Sequence, residues 1–257
     1  MSRSALIGHT GFVGGNLARQ ARYDETFNSA NIETMRGESF ERVVCAGVSA
    51  VKWLANREPA RDLAGIQSLA DVLATVDARR FVLISTIDVY PVLEGADESC
   101  DCAAADNHPY GRHRLWLEQR VRERFPDALI VRLPALFGPG LRKNVLYDLL
   151  HDNLLEAIQP DSQFQWYDLD RLDADIRRAE AARLRLVNLV TAPLATRAII
   201  DRCFAGAGVG AKAGPPVRYA LTTRHAELFG GAAGYVASAP DVLDALARFV
   251  DRERKAG

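Results

Sequence analysis

The chain has 257 residues and sets 32 Lys and Arg against 33 Asp and Glu, so its net charge of -1 offers no overall field for holding nucleic acid or an anionic membrane surface. Hydrophobic residues make up 48% and no apolar run reaches the roughly 18 residues of a membrane span, which excludes a spanning helix and describes an ordinary soluble composition. Four scattered cysteines (Cys45, Cys100, Cys102, Cys203) exclude a disulfide scaffold, and Cys100-Asp101-Cys102 lacks both the spacing and the second pair of a zinc site, so no metal is expected. Residues 1–15 lack the pattern of a signal peptide, and a cytoplasmic location is expected.

In chain order, SALIG (4–8) predicts a first strand, and a second lies near Glu25 to Phe27. ERVVCAG (41–47) predicts a third strand, followed by a helix over Leu63–Val76 with Leu63, Ile66, Leu69, Leu73 and Val76 on one face. RRFVLIST (79–86) predicts a strand. A helix then carries Leu115, Val121 and Phe125 and stops before Pro126, and ALIVRLP (128–134) predicts another strand. Beyond residue 140, the stretches 141–158 and 172–184 read as helices, FQWYDL (164–169) as a short aromatic segment and RLVNLV (185–190) as a strand. A small-residue loop follows over 205–216, with a last helix over 239–252. Nearly continuous apolar strands alternating with helices imply an α/β fold, a doubly wound parallel sheet covered on both faces. The expected organisation is one domain over 1–257, with 1–140 mainly dinucleotide-binding and 141–257 mainly substrate-binding.

The first strand runs into Gly8, Gly11 and Gly14 in GxxGxxG spacing and then into a helix. The three glycines suit a tight turn, close approach of backbone to a pyrophosphate, and close packing of helix on strand, with the pyrophosphate at the positive helix end. Gly8, Thr10, Gly11, Phe12, Val13 and Gly14 are therefore candidate cofactor contacts, joined by Asn28 and Ser29 after the second strand and by Ala46 and Gly47 after the third. No acid marks an NAD ribose at Asn28-Ser29, and Arg36 reads either as a ligand for a 2′-phosphate or as a solvated arginine, so the cofactor is NAD or NADP.

Tyr110 and Arg114 stand four apart at the start of a helix, on one face. A phenol with pKa near 10 needs a stabilised phenolate to act as a base. A cation at about 4 Å supplies roughly 4 kcal/mol at an effective dielectric of 20, about three pKa units. The other reading makes Tyr110 a packing residue and Arg114 a partner of Glu118. His108 and His113 read as surface histidines, Trp53 and Trp116 as packing residues, and Trp166 and Tyr167 as candidates for a substrate pocket.

The glycine loop, YGRHRLWLE (110–118), STIDVY (85–90) and RLPALFGPG (132–140) together resemble the extended short-chain dehydrogenase/reductase superfamily of NAD-dependent epimerases and dehydratases. Its motif is YxxxK, and arginine stands here at the lysine. The resemblance implies that Tyr110 exchanges the substrate proton beside Arg114, that Thr86 holds the reacting oxygen, that Ser85 and Pro134 lie along the cofactor, and that Asp88 acts on a proton next to a keto group. Ile87 stands where some dehydratases carry a second acid. The resemblance extends through Asp170 and Asn188. It further implies a nucleotide-sugar substrate and a homodimer through the tyrosine-bearing helix and the helix before it. A catalytically weak, cofactor-binding regulatory protein is the alternative.

Overall fold

The computed structural model describes residues 3–256, in two compact units: residues 3–91, 98–133 and 172–188 form the first, and 92–97, 134–171 and 189–256 the second. The first therefore ends at Leu133 and is rejoined by a later segment, where the sequence suggested a change of role near 140.

The first unit holds a six-stranded, wholly parallel sheet. Its strands are β1 (Ser4–Ile7), β2 (Glu25–Phe27), β3 (Ser39–Cys45), β4 (Asp77–Thr86), β5 (Leu129–Leu133) and β6 (Leu186–Asn188), in spatial order β2-β1-β3-β4-β5-β6. Ile7 is in register with Phe27 on one side and Cys45 on the other. All five residues of β5 are buried, as a strand covered on both faces requires. β4 starts at Asp77, earlier than its apolar run, because Ser39 and Phe40 continue the pairing with Asp77 and Ala78.

Five helices belong to this unit: α1 (Phe12–Gln20), α2 (Lys52–Arg57), α3 (Pro59–Leu73), α4 (Pro109–Arg124) and α5 (Leu172–Ala181). Proline at the first position of α3 and α4 suits a residue whose missing N–H has no partner to lose there. α3 and α4 pack together on one face, over a core that includes Ile66, Val72, Phe81, Leu117, Val121 and Phe125. The Phe81 and Phe125 rings stack at 4.3 Å.

The doubly wound dinucleotide fold normally carries a further strand outside β2. Here residues 28–38 cross from β2 to β3 with only a 3-10 turn at Ile32–Met35, leaving no room for a strand and its helix. The chain still reverses direction across the sheet between β1 and β3, which places the switch point at their carboxyl ends.

In the second unit, Gln163–Phe164 pairs with Leu194–Ala195 and Ala135–Phe137 with Trp166–Asp168. The Gln165 side chain ties the interior, donating from Nε2 to Thr191 O (2.7 Å) and Leu221 O (2.8 Å) and accepting from Leu221 N at 3.0 Å. Trp166 and Tyr167, read as pocket candidates, are 1% and 0% exposed and pack inside this unit. The helix expected over 141–158 is realised only as Val145–Leu150 and a turn at Leu155–Ala157. It breaks where Asp152 and Leu154 take left-handed φ of 50° and 49°, while Asn153 bonds back to Asp148 through backbone and side chain. No helix among the described residues is long and apolar enough to cross a membrane.

Candidate active site

Gly8 follows β1 with φ of +86°, and a Cβ there would strike the carbonyl of Ala46, just after β3. A Cβ on Gly14 would strike the carbonyl of Gly8 itself, so α1 packs onto the turn as only glycine allows. Gly11 closes the turn, donating to Gly8 O at 2.9 Å, and as N-cap it gives no side-chain oxygen to the first amides of α1. Those amides suit an anionic ligand, and the residues present thus fit a dinucleotide's diphosphate. Phe12 and Val13 open α1 half-buried, Gly11 and Thr10 are exposed, and Ala46 and Gly47 lie across the switch point. Beside them a cavity of about 300 Å³ is lined by Gly47, Val48, Ser49, Asp62, Gly65 and Leu69 among others.

Asn28 and Ser29 follow β2. The Asn28 side-chain oxygen accepts from Ala30 N at 2.8 Å, which closes the loop on itself. Arg36 is paired with Glu33 at 2.5 Å and exposed, in keeping with a solvated arginine.

Around Tyr110, the Asn107 side chain donates to the carbonyls of Asp88, Val89 and Tyr90 (2.9, 3.1 and 3.2 Å), pinning the approach to α4 onto the turn after β4. His108 is the N-cap of α4, its Nδ1 accepting from Gly111 N at 3.0 Å, and Asn56 accepts from Tyr110 N at 3.0 Å. Tyr110 is 7% exposed. Thr86 lies beside its phenol and pulls its pKa down, and Thr86 Oγ1 accepts from Asp88 N at 3.1 Å and donates to Asp88 Oδ2 at 3.5 Å. Lys52 Nζ donates to Asp88 Oδ1 at 2.6 Å. Four side chains from α2, the end of β4, the turn after it and α4 thus form one polar cluster: Lys52, Asp88, Thr86, Tyr110.

Arg114 is elsewhere engaged. Its guanidinium carbon stands 3.8 Å from the centroid of the Tyr110 ring, over the face of the ring. Nη1 and Nη2 donate in a fork to Asp62 (2.5 and 2.9 Å), Nη2 also to Ser49 O (2.6 Å) and Nη1 to Tyr110 O (3.2 Å). Burial alone would raise the Asp62 carboxyl, but hydrogen bonds from Arg114 and His113 outweigh it and hold the group below its ordinary value. The phenol moves the opposite way from the expectation set by its cationic neighbour. Burial pushes it above its ordinary value, Asp88 adds to the rise, and the opposing pull of Arg114, Lys52 and Thr86 is insufficient.

Other readings are corrected by the same geometry. Glu118 is not the partner of Arg114. It is wholly buried and bound by Arg132 (Nη2 to Oε2, 2.7 Å), and Ser85, expected along the cofactor, donates into that pair at 2.6 Å. His113 is no surface residue: it is 8% exposed with Nδ1 2.7 Å from Asp62. Trp53, expected to pack, is 62% exposed beneath Arg57. Pro134 is buried in the second unit. Asp170 pairs with Arg252 at the surface of that unit, and Asn188 in the first donates to the Tyr90 hydroxyl at 2.8 Å.

Lys52, Asp62, Asn56 and Asn107 escaped the sequence reading. Lys52 did carry a signal: of 32 basic residues only four are lysine, and it is the one lysine before residue 143. The described residues contain no cluster of three or more His, Cys, Asp or Glu side chains fit to hold a metal ion.

A parallel sheet with a glycine turn at its switch point, and a buried tyrosine opening a helix beside it, defines a dinucleotide-binding protein of the Rossmann type. The sequence matches the NAD dependent epimerase/dehydratase family over residues 24–160, more than half the chain, and the protein belongs to that family. Its cofactor is accordingly a nicotinamide dinucleotide, NAD or NADP. No curated protein matches the sequence. Among solved structures the chain is similar to the NAD-dependent NDP-hexosamine 5,6-dehydratase TunA of tunicamycin biosynthesis (TM-score 0.77, 16% identity, 99% of this chain and 98% of that one covered). It is also similar to UDP-glucose 4-epimerase from Thermotoga maritima (0.73, 15%, 99% of each) and dTDP-4-dehydrorhamnose reductase from Yersinia enterocolitica (0.73, 15%, 98% and 99%). At these identities the likeness is one of fold.

Proposed function

We propose that the protein is a cytoplasmic, NAD(P)-dependent oxidoreductase of nucleotide sugars in which Tyr110 exchanges a proton with the substrate oxygen. The observation that carries this reading is the buried Tyr110 phenol, placed beside Thr86 at the end of β4. When bound, the nicotinamide would supply or accept hydride at the carbon of that oxygen. The glycine turn, the first amides of α1, Ala46 and Gly47 hold the dinucleotide. A phenol raised by burial keeps its proton at neutral pH, so in the resting site it is an acid, poised to protonate a carbonyl oxygen as hydride reaches the carbon. Thr86 can donate to the same oxygen. Carbonyl reduction is therefore the leading reaction, and Asp88, paired with Lys52, is the group to remove a neighbouring proton if epimerisation or elimination follows.

A thermal-shift panel of NAD and NADP, with and without UDP-, GDP- and dTDP-sugars, tests the substrate class, followed by hydride transfer at 340 nm with any stabilising pair. Tyr110→Phe should keep dinucleotide binding and lose turnover about 10²- to 10⁴-fold. Full activity in that variant removes the proposal. The same reading makes the chain a homodimer through α3 and α4, checked by light scattering at micromolar concentration.

A cofactor-binding regulatory protein is favoured by one observation, the forked pairing of Arg114 with Asp62, which spends the arginine's donors on the protein itself. Arg114→Lys separates the two: an enzyme should change its hydride-transfer rate, whereas a sensor should show none before or after.

A further inference from the structure

Arg114 occupies the lysine position of YxxxK, yet its two terminal nitrogens are taken up by protein acceptors. Both terminal nitrogens donate to Asp62, Ser49 O and Tyr110 O, and Nε is buried without a partner among the described residues. The side chain is 4% exposed and stacked on the face of the Tyr110 ring. Arg114 is thus a clamp that fastens α4 to α3 and to the loop after β3. A fork with two donors on one carboxylate does not turn away without leaving that carboxylate unpaired.

Lys52 is placed differently. It opens α2, directly after the loop that leaves β3 at the switch point, and its side chain is 37% exposed. Its ammonium, 2.6 Å from Asp88, belongs to the polar cluster around Thr86 and Tyr110, where its charge pulls the phenol's pKa down. An ammonium on a four-carbon stem has three rotatable donors, and Asp88 anchors it without closing it off from solvent.

We propose that Lys52, anchored by Asp88, is the cofactor-contacting cation of this site and donates to the hydroxyls of the nicotinamide-side ribose, a task from which Arg114 has been withdrawn. The proposal rests on the reading of the glycine turn as a dinucleotide site.

Titration calorimetry with ADP and ADP-ribose tests it without turnover. Both carry the diphosphate that the glycine turn holds, and only ADP-ribose carries the second ribose. Lys52→Met should weaken ADP-ribose and NAD(P) about tenfold or more, the size of a lost charged hydrogen bond, and leave ADP within about twofold. Arg114→Lys should show no such selectivity. The double variant K52M/D88N, which leaves no unpaired carboxylate behind to repel the diphosphate, should keep the selective loss. Equal weakening of ADP and ADP-ribose, or no weakening of either, overturns the assignment of Lys52. A wild-type protein that binds neither ADP nor NAD(P) overturns the parent reading, and the assignment falls with it.

Discussion

Arg114 and Asp62 are joined by a two-pronged ion pair of 2.5 and 2.9 Å between helices α4 and α3, with both side chains at 10% exposure or less. The pair explains how an arginine comes to lie over the tyrosine ring, where its pull on the phenol is outweighed by burial. Asp62→Ala strands a buried guanidinium and should destabilise the protein by about 3–5 kcal/mol in urea denaturation. The carboxyl lies below its ordinary value, so its contribution is present above about pH 4 and is lost as pH falls through the lower folded value. Asp62→Asn should therefore flatten the acid limb of stability against pH, and an unchanged acid limb would count against the pair.

The turn at Gly8 admits no side chain at Gly14. Gly14→Ala drives a methyl group into the carbonyl of Gly8 and should open the turn, abolishing ADP binding in calorimetry before the sheet unfolds. Wild-type affinity in that variant would show that the turn holds no phosphate.

His108 caps α4 as a neutral ring, and burial, aided by nearby Lys52, lowers its pKa. Protonation would remove the acceptor at Nδ1. The histidine's contribution should be complete above about pH 6.5 and fade as pH falls through its lower folded value. His108→Ala should cost about 1 kcal/mol at pH 8, the size of a lost N-cap bond, and progressively less in acid. A cost independent of pH would mean that the ring acts by packing alone.

Thr86→Val keeps the shape of the side chain while removing the hydroxyl that lies beside Tyr110 and accepts from the amide of Asp88. Turnover should fall about 10²-fold with ADP affinity unchanged, as expected for a group that acts on the reacting oxygen. If ADP affinity and turnover fell together, the hydroxyl would instead be holding the loop in shape.

Much of this site is local in the chain, and that part was legible. Gly8 and Gly14 sit in one turn, Tyr110 and Arg114 in one turn of helix, and Thr86 and Asp88 at the end of one apolar strand. The contact that changes the meaning of Arg114 spans 52 residues and exists only because α3 packs on α4. His113 was misread for the same reason, since its acid lies on another helix. Ser85 read as a ligand because a hydroxyl at a strand end looks the same whether it faces a crevice or a buried carboxylate. It faces Glu118. Lys52 could have been noticed as a rare lysine among arginines, but only the fold sets it against Asp88.

The shortened connection over residues 28–38 leaves β2 as a rim of the sheet, and β6 is the opposite rim; each pairs through three residues. Strands this short give another chain little to zip onto, and Arg3 bound to Glu25 at 2.6 Å puts paired charge on the β2 rim. The sheet has thus given up its outermost strand without acquiring a surface that invites fibril-like growth.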